Sequence, residues 1–135
     1  MIYKFRSPIF IDMPRKTIKD KRRYLNLNAY RNWNFIISNN VKQEYTKLMT
    51  KTHPKTFKQL KQVKITYYFY KRNKRHIDLT NVTSVVDKFF QDYLVNVGVL
   101  EDDTTEFVLE VKSKYMGLDK DKIGYIDIEV EEINK

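Results

Sequence analysis

From Val82 onward, apolar residues recur at Val82, Val85, Val86, Phe89, Phe90, Tyr93, Leu94 and Val97. This is the spacing that lays one continuous apolar stripe along an α-helix. It predicts a helix over 81–97 with one deeply buried face. Thr80 is placed to cap its start, because a side-chain oxygen accepts an orphan amide there, and Gly98 to end it, because glycine tolerates a left-handed residue. Asp78 stands just before the helix, and Asp102 and Asp103 stand just after the turn that follows. Carboxylates therefore flank both ends of one buried rod, and the rest of the chain reads as its support.

At 100° per residue, Asn81, Lys88 and Asp92 fall within about 40° of one another, on a stripe beside the apolar face. Acidic groups on neighbouring backbone segments suit Mg²⁺, which takes hard oxygen ligands and keeps several waters. A lysine beside them can neutralise a phosphate in a transition state. The residues alone leave a second reading open. Asp102 and Asp103 are also ordinary polar turn residues, and Lys88 with Asp92 an ordinary i,i+4 surface pair.

Residues 78–103 resemble the core of the RusA family of Holliday junction resolvases, found widely in phages and prophages, and in particular its Gram-positive phage branch. That family shows Asp-x-Asp-Asn, then a helix with Lys-x-x-x-Asp, then a glycine-containing turn into Asp-Asp. Here Asp78-Leu79-Thr80-Asn81, Lys88-Phe89-Phe90-Gln91-Asp92 and Gly98-Val99-Leu100-Glu101-Asp102-Asp103 occupy the three blocks. The chain departs from the pattern twice: Thr80 stands at the family's second aspartate, and an extra helical turn separates Asn81 from Lys88. The resemblance covers 78–103 closely, the flanking strands more loosely, and the first 60 residues only in outline.

The resemblance implies an endonuclease that depends on Mg²⁺, with Mn²⁺ as a substitute, binds four-way DNA junctions and cuts them symmetrically to leave 5′-phosphate ends. It further implies that Asp78 and Asp103, together with Asp102, hold the metal and that Lys88 faces the phosphate. Asp92 is then either a ligand or the group that orients Lys88. A homodimer is implied as well, and it matches the two-fold symmetry of a junction that needs paired nicks.

The net charge of +9 is unevenly spread. Residues 1–75 hold 20 Lys and Arg against 3 Asp and Glu, while residues 76–135 hold 6 against 14. The front half suits a polyanion, and with no basic amphipathic anchor helix the expected partner is nucleic acid rather than membrane. The basic run Arg15, Lys16, Lys19, Lys21, Arg22, Arg23 reads as an exposed loop that orders on a phosphate backbone. Lys71, Arg72, Lys74 and Arg75 run directly into Asp78, which reads as a cationic approach to an anionic pocket. His76 is a candidate ligand or proton carrier, or simply an exposed loop histidine.

Residues 2–11 read as strand interrupted at Pro8. Tyr30, Trp33, Ile37, Val41, Tyr45 and Leu48 form a helical stripe, predicting one helix from Asn28, as its N-cap, to about Met49, with Tyr30 and Trp33 in the core. His53-Pro54 ends it. Val63–Tyr70 reads as a strand that is central or covered on both faces. Glu106–Tyr115 and Ile123–Ile133 read as two further strands joined by a hairpin loop over Met116–Lys122.

These elements make an α+β fold: one domain over 1–135, with a small, mostly antiparallel sheet of about four strands and two main helices. The absence of cysteine excludes disulfides, zinc-thiolate sites and cysteine nucleophiles and suits a reducing compartment; with no run approaching 18 apolar residues and no signal-peptide core in Met1-Ile-Tyr-Lys-Phe-Arg, a cytoplasmic location is expected. With glycine only at 98, 117 and 124, there is no phosphate-cradling loop and no nucleotide cofactor is expected. Two readings from other classes compete with the nuclease. One is a weak or inactive DNA-binding or regulatory protein on the same scaffold, and the other is a module whose basic half binds an acidic protein.

Overall fold

The computed structural model describes residues 1–14, 21–54 and 58–133. In chain order the elements are β1 (Ile2–Pro8), β2 (Phe10–Met13), β3 (Lys21–Tyr24), α1 (Leu27–Tyr30), α2 (Phe35–Thr52), β4 (Val63–Lys71), α3 (Leu79–Asn96), β5 (Val108–Leu118) and β6 (Tyr125–Glu132). The main sheet runs β1-β6-β4-β5, and β2 pairs with β3 in a separate ribbon. β6 is antiparallel to both β1 and β4, whereas β4 and β5 are parallel. Parallel neighbours need a crossover rather than a tight turn, and α3 supplies it. The architecture is the expected α+β class with two long helices on a small sheet.

One face of the sheet is the core. Phe5, Ile65, Tyr67, Phe69, Ile126, Ile128 and Val130 alternate along β1, β4 and β6 and are buried, as period-two strands with one covered face require. β4 is central, but only its Val63–Ile65–Tyr67–Phe69 face is buried; Tyr68 and Tyr70 remain half-exposed. α3 lies between this face and the other helices. Its Phe90 ring meets Phe5 at 5.1 Å and Tyr67 at 6.2 Å, while the adjacent Phe89 meets Tyr45 at 5.7 Å and Tyr30 at 6.2 Å. Burial on two sides accounts for the wide apolar arc read from the sequence. Polar atoms carried inside find partners: the Tyr45 hydroxyl bonds Ser7 Oγ at 2.7 Å, and Tyr67 donates to Asp87.

Several expected boundaries move. The continuous helix from Asn28 is broken, because Asn34 opens α2 by accepting from the Ile37 amide at 2.9 Å, while Asn26 opens α1 in the same way. Asparagine favours such caps over helix interiors, which explains the interruption at 31–34. Tyr30 and Trp33 still pack on the core, 5.6 Å apart. Thr80 does not cap α3; Asp78 occupies the N-cap position without a side-chain cap bond, and Thr80 lies inside the first turn.

Nor do β5 and β6 form a hairpin, since β4 lies between them. Their connection crosses the end of β4, where the Asp119 amide donates to the Lys71 carbonyl at 2.6 Å. The Asp119 carboxylate then accepts the amides of Asp121, Ile123 and Gly124. Lys21, Arg22 and Arg23, expected in a loop, belong to β3, and Arg22 pairs with Asp12 at 2.8 Å with its guanidinium over Phe10. Arg15, Lys16 and Lys19 lie outside the described residues.

Two glycines separate backbone strain from crowding. Gly98, at φ +81°, ends α3 in a six-to-one closure from the Val99 amide to the Leu94 carbonyl, and a Cβ there would meet nothing within 4 Å. Gly124, at φ +85°, would place a Cβ 2.5 Å from Ile9 Cδ1 and 3.2 Å from Arg72 Cβ. Gly98→Ala is expected to cost about 1–2 kcal/mol, the left-handed penalty alone. Gly124→Ala is expected to cost about 2–4 kcal/mol, because overpacking adds to it. Urea unfolding of the two variants checks the difference, and equal losses would show that the Ile9 contact yields freely.

Candidate functional site

The helix α3 sets the geometry, and it separates what the sequence placed together. Eighteen residues at 1.5 Å each make a rod of about 27 Å, with Asp78 at one end and Asp92 about 21 Å further along. Asp102 and Asp103 fold back beside the far end. They line a cleft of about 670 Å³ with Asp92, Val95 and Asn96 of α3 and with Asn39, Lys42, Gln43, Thr46 and Lys47 of α2. Three of the four proposed metal ligands are thus gathered in one cleft, and Asp78 is not among them.

Within the cleft the carboxylates are electrostatically crowded. The Asp102 side chain accepts the Asp103 amide at 2.8 Å, which fixes the two acids side by side. The Asp103 carboxyl is held above the usual aspartate range, first by partial desolvation and then by the Asp102 hydrogen bond and the charges of Asp102 and Asp92. Asp92 pairs with Lys42 across the two helices at 3.2 Å. It does not pair with Lys88 one turn away, so neither the i,i+4 surface pair of the second reading nor an orienting contact from Asp92 to Lys88 is formed. Lys88 is exposed, with its ammonium 6.0 Å from the Tyr30 ring. Asn81 serves the scaffold, its side-chain oxygen accepting the Leu27 amide at 2.9 Å and so docking α1 on α3.

A cation fits part of this arrangement. Among the described residues, no three His, Cys, Asp or Glu side chains stand close enough to form a closed metal site. Mg²⁺, however, is commonly bound through one or two carboxylates while it keeps waters and takes substrate phosphates. Asp102 and Asp103, with Asp92 across the cleft, match that open donor set, and a cation between them would offset the charges of Asp102 and Asp92, which add to desolvation in raising Asp103. Asp78 does not fit, since ligands about 2 Å from one ion cannot lie about 20 Å apart on one chain.

The opposite end of α3 is cationic. A second pocket, of about 500 Å³, is lined by Tyr24, Lys71, Arg72, Arg75, His76 and neighbouring asparagines, with no carboxylate among its lining residues. Arg72 is oriented there by a 2.9 Å bond to the Tyr24 hydroxyl. Lys74 is exposed nearby. This run therefore leads to the far end of α3 rather than to the acidic cleft, which corrects the expected cationic approach. The α2 residues Asn39, Lys42, Thr46 and Lys47 were not legible as site residues, because nothing local in the sequence fixes how α2 lies against α3.

No family model matches this chain, and no curated protein matches it. No helix among the described residues is long and apolar enough to cross a membrane.

The raised Asp103 carboxyl, desolvated first and crowded by Asp102 second, has a measurable consequence. An aspartate whose folded pKa is raised costs stability once it ionises, and the cost vanishes below the unfolded value of about 3.9. Asp103→Asn is therefore expected to melt at or above the wild-type temperature at pH 7, with the difference shrinking as pH falls through the carboxylate range. Millimolar Mg²⁺ is expected to raise the melting temperature of wild type and not of Asp102→Asn/Asp103→Asn. Scanning calorimetry across pH, with and without Mg²⁺, checks both, and a less stable Asp103→Asn at pH 7 would contradict the crowding.

Proposed function

We propose that this protein is a RusA-like, divalent-metal-dependent endodeoxyribonuclease that resolves four-way DNA junctions, working as a homodimer in the cytoplasm. The observation that carries the reading is the crowded pair Asp102 and Asp103 facing Asp92, with Lys42 and Lys47 on the same cleft. A bound divalent ion supplies an activated water and a counter-charge to the phosphate. The chain's own residues supply the rest. Asp102 and Asp103 would hold the cation, and Asp92 is kept in place by Lys42. Lys88, one turn before Asp92 on α3, exposed beside Tyr30 and not among the cleft's lining residues, would have to swing from that ring to meet a non-bridging phosphate oxygen.

The cationic pocket at the other end of α3 suits a second DNA phosphate. A separation of about 20 Å corresponds to roughly six base pairs at 3.4 Å each, so one arm of a junction can occupy both ends of the rod. Two such rods related by a two-fold axis would address the paired strands of a junction. A second reading is favoured by the remoteness of Asp78 and the lack of a closed metal site: a junction-binding protein on the same scaffold that does not cut.

A labelled four-way junction incubated with and without Mg²⁺ separates the two. The nuclease reading expects paired nicks with Mg²⁺ and their loss, by orders of magnitude, in Asp103→Asn with junction binding retained. Because Asp78 and Thr80 lie far from the cleft, Asp78→Asn and Thr80→Asp are expected to leave the Mg²⁺ midpoint unchanged. A shifted midpoint would place the metal at the wrong end of α3 here, and no cleavage under any metal would favour the binding protein. Binding is expected to weaken with salt by a log-log slope of roughly −0.9 per phosphate contacted. Arg75→Ala is expected to flatten that slope, while Arg22→Ala, already paired with Asp12, is expected to change it little.

A further inference from the structure

The sheet face turned away from the helices carries exposed or half-buried side chains along all four strands. On it the Arg6 guanidinium lies 4.0 Å from the centre of the Tyr125 ring, and Tyr125 stacks on Tyr70 at 4.6 Å with the planes 22° apart. The next residue across the sheet is Gly117 of the edge strand, directly opposite Tyr70. Apart from its two chain neighbours, a Cβ there would meet nothing within 4 Å, so the row of stacked groups stops at a slot beside Met116. The slot is one strand spacing wide, about 4.8 Å. Met116 and Tyr68 border the adjoining cavity of about 560 Å³.

We infer that this slot takes an unpaired nucleobase of single-stranded DNA, stacked on the face of Tyr70 turned away from Tyr125. A flat ring entering over Gly117 extends the Arg6–Tyr125–Tyr70 row by one member, and stacking of this kind accepts any base. The strand's phosphates meet Lys114, which is exposed on the same face of β5 because it pairs in register with Tyr68, whereas Lys112, opposite Thr66, is already paired with Glu110 at 3.2 Å. The acids nearest Tyr70 are already engaged. Arg6 grips both oxygens of Asp127 at 2.7 and 3.2 Å, and the Tyr68 hydroxyl donates to Glu129 at 2.9 Å. Duplex DNA cannot use the slot, since its bases stack on one another. The site is carried by residues on the opposite side of the sheet from the acidic cleft, so it stands apart from the nuclease reading.

The test is fluorescence anisotropy with a labelled oligo-dT of about fifteen nucleotides, in EDTA so that no cleavage intervenes. Tyr70→Ala is expected to weaken binding about ten-fold or more, and Tyr70→Phe, which keeps the ring, to stay within about two-fold of wild type. Both are expected to bind duplex DNA as wild type does, with circular dichroism confirming the fold. Lys114→Ala is expected to flatten the salt slope by roughly 0.7. Asp103→Asn is expected to bind the oligonucleotide normally, so failure of the cleavage reading would leave this result untouched. Unchanged affinity in Tyr70→Ala, equal losses in Tyr70→Phe and Tyr70→Ala, or a parallel loss of duplex binding would each overturn the assignment.

Discussion

Burial of α3 on two sides is the constraint from which the rest of the structure follows. Phe90 and its neighbours meet the sheet while Phe89 meets α1 and α2, so the rod can neither slide nor roll without opening one of two packed layers. Truncating either ring would cost about 3–5 kcal/mol, a large fraction of the stability of a domain this size. Because the rod is fixed, the groups at its two ends are fixed relative to each other. That is how a helix holding few exposed functional groups organises a molecule whose charge is divided between acid and base.

The division is spatial as well as sequential. The acidic end gathers Asp92, Asp102 and Asp103 against α2, and the basic end gathers Lys71, Arg72 and Arg75 behind the start of α3. Had the two sets met, they would have neutralised each other as ion pairs. Kept about 20 Å apart, more than two Debye lengths at physiological salt, each retains its own field. Under the proposed function, a polyanion would be held at one end and a cation at the other.

Much of this was legible in the sequence where local physics decides. The stripe from Val82 to Leu94 located α3, Gly98 marked its end, and the alternation Ile126, Ile128, Val130 marked the buried face of β6. What the sequence hid depends on long-range packing. Neighbouring blocks of a motif read as neighbours in space, yet a helix between Asp78 and Asp103 holds them apart. The β5–β6 connection read as a hairpin because turn residues cannot reveal that β4 inserts between the strands. Asn28 read as a cap because three nearby asparagines compete for that role, and contacts with Phe89 and Asn81 decide among them. The cleft residues of α2 gave no local signal at all.

The proposed placement of a divalent ion in the Asp102–Asp103 cleft is tested most directly by paramagnetic broadening. Substoichiometric Mn²⁺ added to isotopically labelled protein broadens the amide resonances nearest the bound ion. Broadening is expected at Asp92, Asp102 and Asp103 and at the facing turns around Asn39, Lys42 and Thr46, with the amides of His76 to Asn81 left sharp. Broadening centred on Asp78 and Asn81, with the Asp103 cleft unaffected, would contradict it.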